Sequence, residues 1–179
     1  MECNSQSDLV SLRDFNMEED VEDFLAWVGD SQVAKYTTWN PCAAMEEAKQ
    51  FLVKMQQAVP PHESWFKAVC LNGKPVGHIK LELRTHENGV RYGRIGYALG
   101  REYWRRGITT QAVKQCLKIG CTDLSLESVE ALVLPENMSS IKLLEKVGFQ
   151  RSVSYYEYVN VKGNIQQCLL YTFHGSHVI

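Results

Sequence analysis

The chain has no apolar stretch approaching the ~20 residues needed to cross a bilayer. Its opening, MECNSQSDLV, has neither the basic segment nor the apolar core that directs export. The expected location is cytoplasmic, with a nuclear one left open, and no membrane partner is expected. Basic charge is also scarce. Nineteen Lys and Arg against 21 Asp and Glu leave a formal net charge of −2, which argues against a nucleic-acid partner, because that role calls for a basic excess. Six cysteines (Cys3, Cys42, Cys70, Cys116, Cys121, Cys168) stand singly with no CxxC. Neither zinc nor a disulfide framework is expected, and the thiols read as reduced core residues. Neither GxxxxGKS/T nor GxGxxG occurs, which removes the main signatures of P-loop nucleotidases and dinucleotide-binding Rossmann folds. Repeats, linkers and low-complexity tracts are missing too. With 179 residues, 45% of them hydrophobic, the chain reads as one domain over 1–179, its core running from about 9 to 173.

What is present centres on YALGREYWRRGITTQA, from Tyr97 to Ala112. The stretch begins as the end of a strand and finishes as the start of an amphipathic helix, with Ile108, Ala112 and Cys116 on one stripe. A helix start carries unpaired N–H groups and partial positive charge, so it is suited to a phosphate. Arg105 and Arg106 add charge just before it, and Gly107 lets an oxyanion approach the backbone. A pyrophosphate would suit this arrangement. Taken alone, WRRG also reads as a solvated basic turn.

The remaining elements follow from periodicity and turn chemistry. A short strand is expected within Leu9 to Phe15. A helix should follow, capped by Asn16 with Glu19 at capping-box spacing and with Val21, Phe24, Leu25 and Val28 inward. Its acidic residues Glu18, Glu19, Asp20, Glu22 and Asp23 read as a solvated face. After a turn at Ser31 to Lys35, a second helix from about Ala43 to Gln57 buries Ala44, Ala48, Phe51, Leu52 and Met55, and Pro60 and Pro61 end it. Ser64 to Leu71 and Val76 to Leu83 form a hairpin around Asn72-Gly73. In its second strand, His78, Lys80, Glu82 and Arg84 are expected on a wet face, with Glu82 or His78 as minor candidates for handling a substrate proton. A strand ends at Leu99, a helix runs to about Ile119, and Ser128 to Leu134 is another strand. Phe149 opens the next one, and Val153 to Asn160 pairs with Ile165 to Phe173 through Lys162-Gly163-Asn164.

A second motif lies at Asn137 and Ser140, followed by Leu143-Leu144-Glu145-Lys146-Val147-Gly148-Phe149. Trp104, Arg105, Arg106, Gly107, Ile108 and Thr109 resemble the coenzyme A pyrophosphate loop of the GNAT superfamily of N-acetyltransferases, Q/R-x-x-G-x-G/A, with Trp first and Thr109 in place of the usual small residue. N-x-x-S followed by L-E-K-x-G-F is similar to the last coenzyme-binding helix of the branch that includes the RimJ/RimL ribosomal-protein acetyltransferases. The N-terminal residues Asp30, Val33, Tyr36, Trp39, Glu46, Glu47, Ala48, Phe51 and Leu52 resemble the same branch.

That resemblance implies an α/β (α+β) fold: a mixed, mostly antiparallel sheet of about seven strands, flanked by four or more helices and splayed between strands 4 and 5. It implies acetyl-CoA as cosubstrate, with no metal, and direct attack of an amine on the thioester. The implied cofactor-binding residues are Ala98, Leu99, Trp104, Arg105, Arg106, Gly107, Ile108, Thr109, Thr110, Asn137 and Ser140. Within them, Leu99 N–H receives the acetyl carbonyl, Asn137 holds the pantetheine or a water, and Ser140 attends the departing thiolate. Many relatives carry a tyrosine acid at the place of Leu144, and some a glutamate near Arg94; both are absent. Glu157 is the candidate for a glutamate base on the penultimate strand. A weak base favours an α-amine, which costs about 1.0 to 1.4 kcal/mol to deprotonate at pH 7 against roughly 4.6 for lysine. The expected acceptor is therefore a peptide or protein N-terminus. A polyamine or aminoglycoside acceptor, and a non-catalytic acyl-CoA binding module, stand as alternatives. Tyr36, Trp39 and Trp65 are candidate acceptor-pocket walls that read more readily as core, as do Tyr155, Tyr156 and Tyr158. Either a monomer or a homodimer is compatible with the sequence.

Overall fold

The computed structural model describes residues 9–57 and 64–175. Alternating apolar residues and hairpin turns generate seven strands: β1 (Val10–Arg13), β2 (Ser64–Leu71), β3 (Lys74–Thr85), β4 (Arg91–Leu99), β5 (Ser128–Val133), β6 (Gln150–Val161) and β7 (Asn164–His174). They form one sheet in the order β1-β2-β3-β4-β5-β7-β6. Every pairing is antiparallel except β4 with β5. That parallel step needs a long crossover, and α4 (Ile108–Thr122) supplies it.

Alternation along the strands divides the core into two layers. Ile79, Leu81, Ile95, Val129, Ala131 and Val133 face one side, where Ile108, Ala112, Val113, Cys116 and Leu117 of α4 cover them together with Ile141 and Leu144 of α5 (Met138–Lys146). Phe66, Ala68, Cys70, His78 and Ala98 face the other side. There they meet Phe24, Trp27 and Val28 of α1 (Val21–Val28), Val33 of the one-turn α2 (Ser31–Ala34), and Ala48 and Leu52 of α3 (Met45–Gln57). Each Val, Leu, Ile or Phe among them contributes roughly 1.5–3 kcal/mol when fully buried, so both helical layers are held by side-chain burial rather than by helix propensity.

Several expectations are corrected. The first helix starts at Val21 after Asp20, not after Asn16. Asp20 is buried and takes two hydrogen bonds from Arg13, at 2.6 and 2.9 Å, and a third from the Asn16 N–H at 2.7 Å. The Asn16 side chain is used two residues on, by the Glu18 N–H. A buried carboxylate with three donors outcompetes a surface capping box. The acidic stretch is thus not wholly a solvated face. Ala44 is exposed, because α3 begins only at Met45. His78 does not lie on a wet face: it is 3% exposed beneath α1. The final hairpin is longer than expected, with β6 starting at Gln150 and carrying an irregularity between Arg151 and Tyr156. Cys42, Cys70, Cys116, Cys121 and Cys168 are free thiols, Cys42 and Cys121 only half-buried. Pro60, Pro61 and Cys3 lie outside the described residues.

Candidate active site

The sheet parts in the middle. β4 and β5 pair only over Tyr92↔Ser128, Gly93↔Val129 and Arg94↔Glu130, although β4 continues to Leu99 and β5 to Val133. On its other edge β4 stays zipped to β3 as far as Gly77↔Leu99. Gly77 allows this close approach, since a Cβ there would sit 2.4 Å from the Ala98 carbonyl oxygen. The Gly100 N–H donates to the Val76 carbonyl at 2.8 Å, which makes Gly77↔Leu99 a pair not bonded to each other. In an antiparallel ladder such residues turn their own N–H and C=O outward. The Leu99 N–H therefore aims at the gap left by β5. The Leu99 carbonyl accepts from Trp104 Nε1 at 2.8 Å, a bond that fixes the half-exposed indole at the mouth of the gap.

The loop after β4 is shaped as an anion cradle. A 3-10 turn at Arg101–Tyr103 leads to Arg105 and Gly107, both with positive φ, 63° and 76°. Gly107 precedes α4, and the helix has no side-chain cap, whereas Asp30 and Asn137 cap α2 and α5. Its leading N–H groups, from Ile108, Thr109 and Thr110, are thus left for a ligand. A Cβ on Gly107 would meet no protein atom within 4 Å, so the space beside it is open. Arg106 lies over the Tyr103 ring at 5.8 Å, and Arg101 pairs with Asp30 at 2.9 Å, tying the loop to the first helical layer. Ile108 itself is buried, so its contribution to a ligand is its backbone. The residues present fit a pyrophosphate.

Asn137 and Ser140 meet at the start of α5. The Asn137 side-chain oxygen accepts from the Ser140 N–H at 3.2 Å, which gives Asn137 the capping role and leaves its amide nitrogen available. The Ser140 hydroxyl lies 2.7 Å from the Tyr97 hydroxyl. Tyr97 sits on the α4 side of β4, half-buried against that core layer. Desolvation, only partly offset by the Ser140 bond, pushes its phenol up to about 12. Sequence reading missed Tyr97; its only signal is a hydroxyl-bearing aromatic two residues before the strand end that faces the gap.

Glu157 is not near this pair. Arg94, on the opposite face of β4 by alternation, donates to both Glu157 oxygens at 2.8 and 2.9 Å and to Glu130 at 3.0 Å. Burial opposes the Arg94 charge, and the bonds to Glu130 and Glu157 outweigh it and raise its pKa. Arg94 Nε is buried with no hydrogen-bond partner among the described residues. Glu82 is engaged in the same way: burial pushes its carboxyl up, and hydrogen bonds from Lys80 and Arg84 prevail and hold it below the usual range. His78 accepts from Trp27 Nε1 at 3.0 Å, and burial, aided by Lys80, lowers its pKa to about 3. It stays neutral and is a poor base. Trp39 packs against His78 and Phe51 on this face, and Tyr36 packs beside Cys168. Trp65 packs with the other layer, so it is not their neighbour. Tyr155, Tyr156 and Tyr158 are exposed on β6 rather than core. No cluster of potential metal ligands occurs among the described residues.

A sheet that opens beside an uncapped, arginine-flanked helix start has the shape to take a long anionic ligand. The profile of the Acetyltransferase (GNAT) domain matches residues 10–150, and the chain belongs to this family of N-acetyltransferases. Over 149 residues it is 29% identical to an uncharacterized N-acetyltransferase, p20, of Bacillus licheniformis, covering 82% of this chain and 83% of the relative. In fold it resembles Mycobacterium smegmatis RimJ in complex with CoA-disulfide, with TM-score 0.80 and 22% identity over 94% of this chain and 83% of the other. It also resembles a spermidine N-acetyltransferase from Vibrio cholerae in complex with CoA and spermine, with TM-score 0.73 and 16% identity over 93% and 96% of the two chains. The GNAT family uses acetyl-CoA and an amine acceptor.

Proposed function

We propose that the chain acetylates the α-amine at the N-terminus of a peptide or protein. The observation carrying this reading is that Glu82, Glu130 and Glu157 are already matched by Lys80, Arg84 and Arg94. A polyamine needs carboxylates that are free to receive its several cations, whereas a single weakly basic amine does not. The acidic stretch before and within α1 is likewise partly spent: Asp20 on Arg13, Asp23 on Lys74.

In this reading the loop from Trp104 to Thr110 holds the diphosphate, and Ala98 and Leu99 line the gap that receives the pantetheine arm. The Leu99 N–H donates to the thioester carbonyl as negative charge develops on its oxygen. The neutral amine attacks, the carbon–sulfur bond breaks, and Ser140 donates a hydrogen bond to the sulfur while Asn137 steadies the arm. Both Glu157 oxygens are held by Arg94, so the main deprotonation step falls to solvent and to the low basicity of the acceptor.

The test is a coenzyme A release assay on three acceptor sets: short peptides with free N-termini, N-terminally blocked peptides carrying lysine, and spermidine. Free N-termini should turn over fastest. Faster turnover of lysine or spermidine would refute the acceptor assignment. Tight binding of acetyl-CoA with no release from any acceptor would favour a non-catalytic binding module.

A further inference from the structure

The Ser140 hydroxyl has one proton to give. If it points at the sulfur, as the reading above requires, a group that donates to the Ser140 oxygen would hold it in that orientation. Otherwise, a hydroxyl in the first turn of a helix tends to bond a nearby backbone carbonyl. Among the described residues, one group lies at hydrogen-bond distance from that oxygen, the Tyr97 hydroxyl at 2.7 Å, 43 residues away in sequence.

The geometry points to Tyr97 as the positioning residue that donates to Ser140 Oγ and so commits the serine proton to the thiolate of coenzyme A. Two features support this direction. First, Tyr97 rises from β4 beyond the last β4–β5 pair, Arg94↔Glu130, so its ring bridges the gap to α5 rather than packing inside a continuous sheet. Second, its phenol is held protonated, with its pKa raised to about 12 by desolvation, and stays a donor throughout the neutral range. The serine is then fixed at two points, its N–H by Asn137 and its hydroxyl by Tyr97. No proton transfer along the pair is needed. Tyr97 keeps its proton, Ser140 keeps its own, and both only orient hydrogen bonds toward a developing negative charge. The position of Leu144, where many relatives place an acidic tyrosine, is buried at 1% exposure and apolar. Here the tyrosine acts from the strand side, through a serine.

This inference rests on the assignment of Ser140 to the thiolate, and the test separates the two. In the binary complex with coenzyme A, the thiol is titrated by its thiolate ultraviolet absorbance, as a difference against protein alone. Wild type should hold the bound thiol below its free pKa. S140A should raise it by about one unit, a tenfold change; Y97F should raise it comparably, and Y97F/S140A no further. Turnover should follow, with kcat falling roughly tenfold to a hundredfold in Y97F while KM for acetyl-CoA stays nearly constant. A fluorinated tyrosine at position 97, with the same shape and a lower phenol pKa, should bring in an alkaline loss of kcat that Y97F lacks. If S140A shifts the bound thiol and Y97F does not, or if their effects multiply, Tyr97 has no such role. If neither variant shifts it, the Ser140 assignment itself fails.

Discussion

Removing the Arg94 guanidinium should be far more damaging than its position near the surface of the sheet suggests. Its side chain is 16% exposed, and its partners Glu130 and Glu157 are 14% and 31% exposed. Three charge-assisted hydrogen bonds, at 2.8, 2.9 and 3.0 Å, join them across β4, β5 and β6. In Arg94→Met, two carboxylates remain poorly hydrated and without a cation. Breaking one side of such a pair costs about 3–5 kcal/mol. For a chain of this size that lowers Tm by roughly 6–20 °C at pH 7. The sign of the pH dependence then follows. Burial without a partner raises the pKa of an acid, so the deficit is full at neutral pH and shrinks as pH falls and the carboxyls protonate. Because the penalty lies in the orphaned charges, the triple variant Arg94→Met, Glu130→Leu, Glu157→Leu should recover most of the loss. Thermal unfolding of wild type, single and triple variants at pH 7 and pH 5 measures all of this. Acetyl-CoA affinity, read by calorimetry, should hold, because Arg94 lies on the face away from Ser140. A single variant as stable as wild type at pH 7, with no gain on acidification relative to it, would refute the reasoning.

Two further outcomes are expected. Arg105→Glu with Arg106→Glu should weaken coenzyme A binding at least tenfold, and Gly107→Val should do the same by filling the anion space and straining a residue at φ 76°; unchanged dissociation constants by calorimetry would remove the pyrophosphate assignment. His78, with its pKa lowered from 6.5 to about 3, binds a proton more readily unfolded than folded. Its contribution to stability is thus complete above pH 6.5 and is lost as pH falls toward 3, by roughly 5 kcal/mol in full. His78→Leu should be about 1–3 kcal/mol less stable at pH 7, since Trp27 Nε1 loses its acceptor, and should show a smaller acid loss than wild type in denaturant titrations at pH 7, 5 and 4; equal pH slopes would contradict the buried neutral histidine.

Local sequence carried the elements and the turn before α4. Alternation in β3, the Asn72-Gly73 turn, the Ile108, Ala112, Cys116 stripe, and the arginines and glycine before it are all features within a few residues of one another, where backbone sterics and helix periodicity act directly. Misreadings arose where a distant partner decided the outcome. Asn16 has the spacing of a cap, but Arg13 and Asp20 form a stronger buried pair and move the helix start. His78 falls on the polar side of an alternating strand, but α1 covers that side and Trp27 satisfies the ring. The tertiary structure alone decided which hydroxyls and carboxylates meet. Tyr97 reaches Ser140 across 43 residues and Arg94 reaches Glu157 across 63, because β4 and β5 part after Arg94 and the last hairpin joins the sheet through β7 beside β5. Such pairings depend on the order of strands in the closed sheet, and no periodicity along the chain encodes that order.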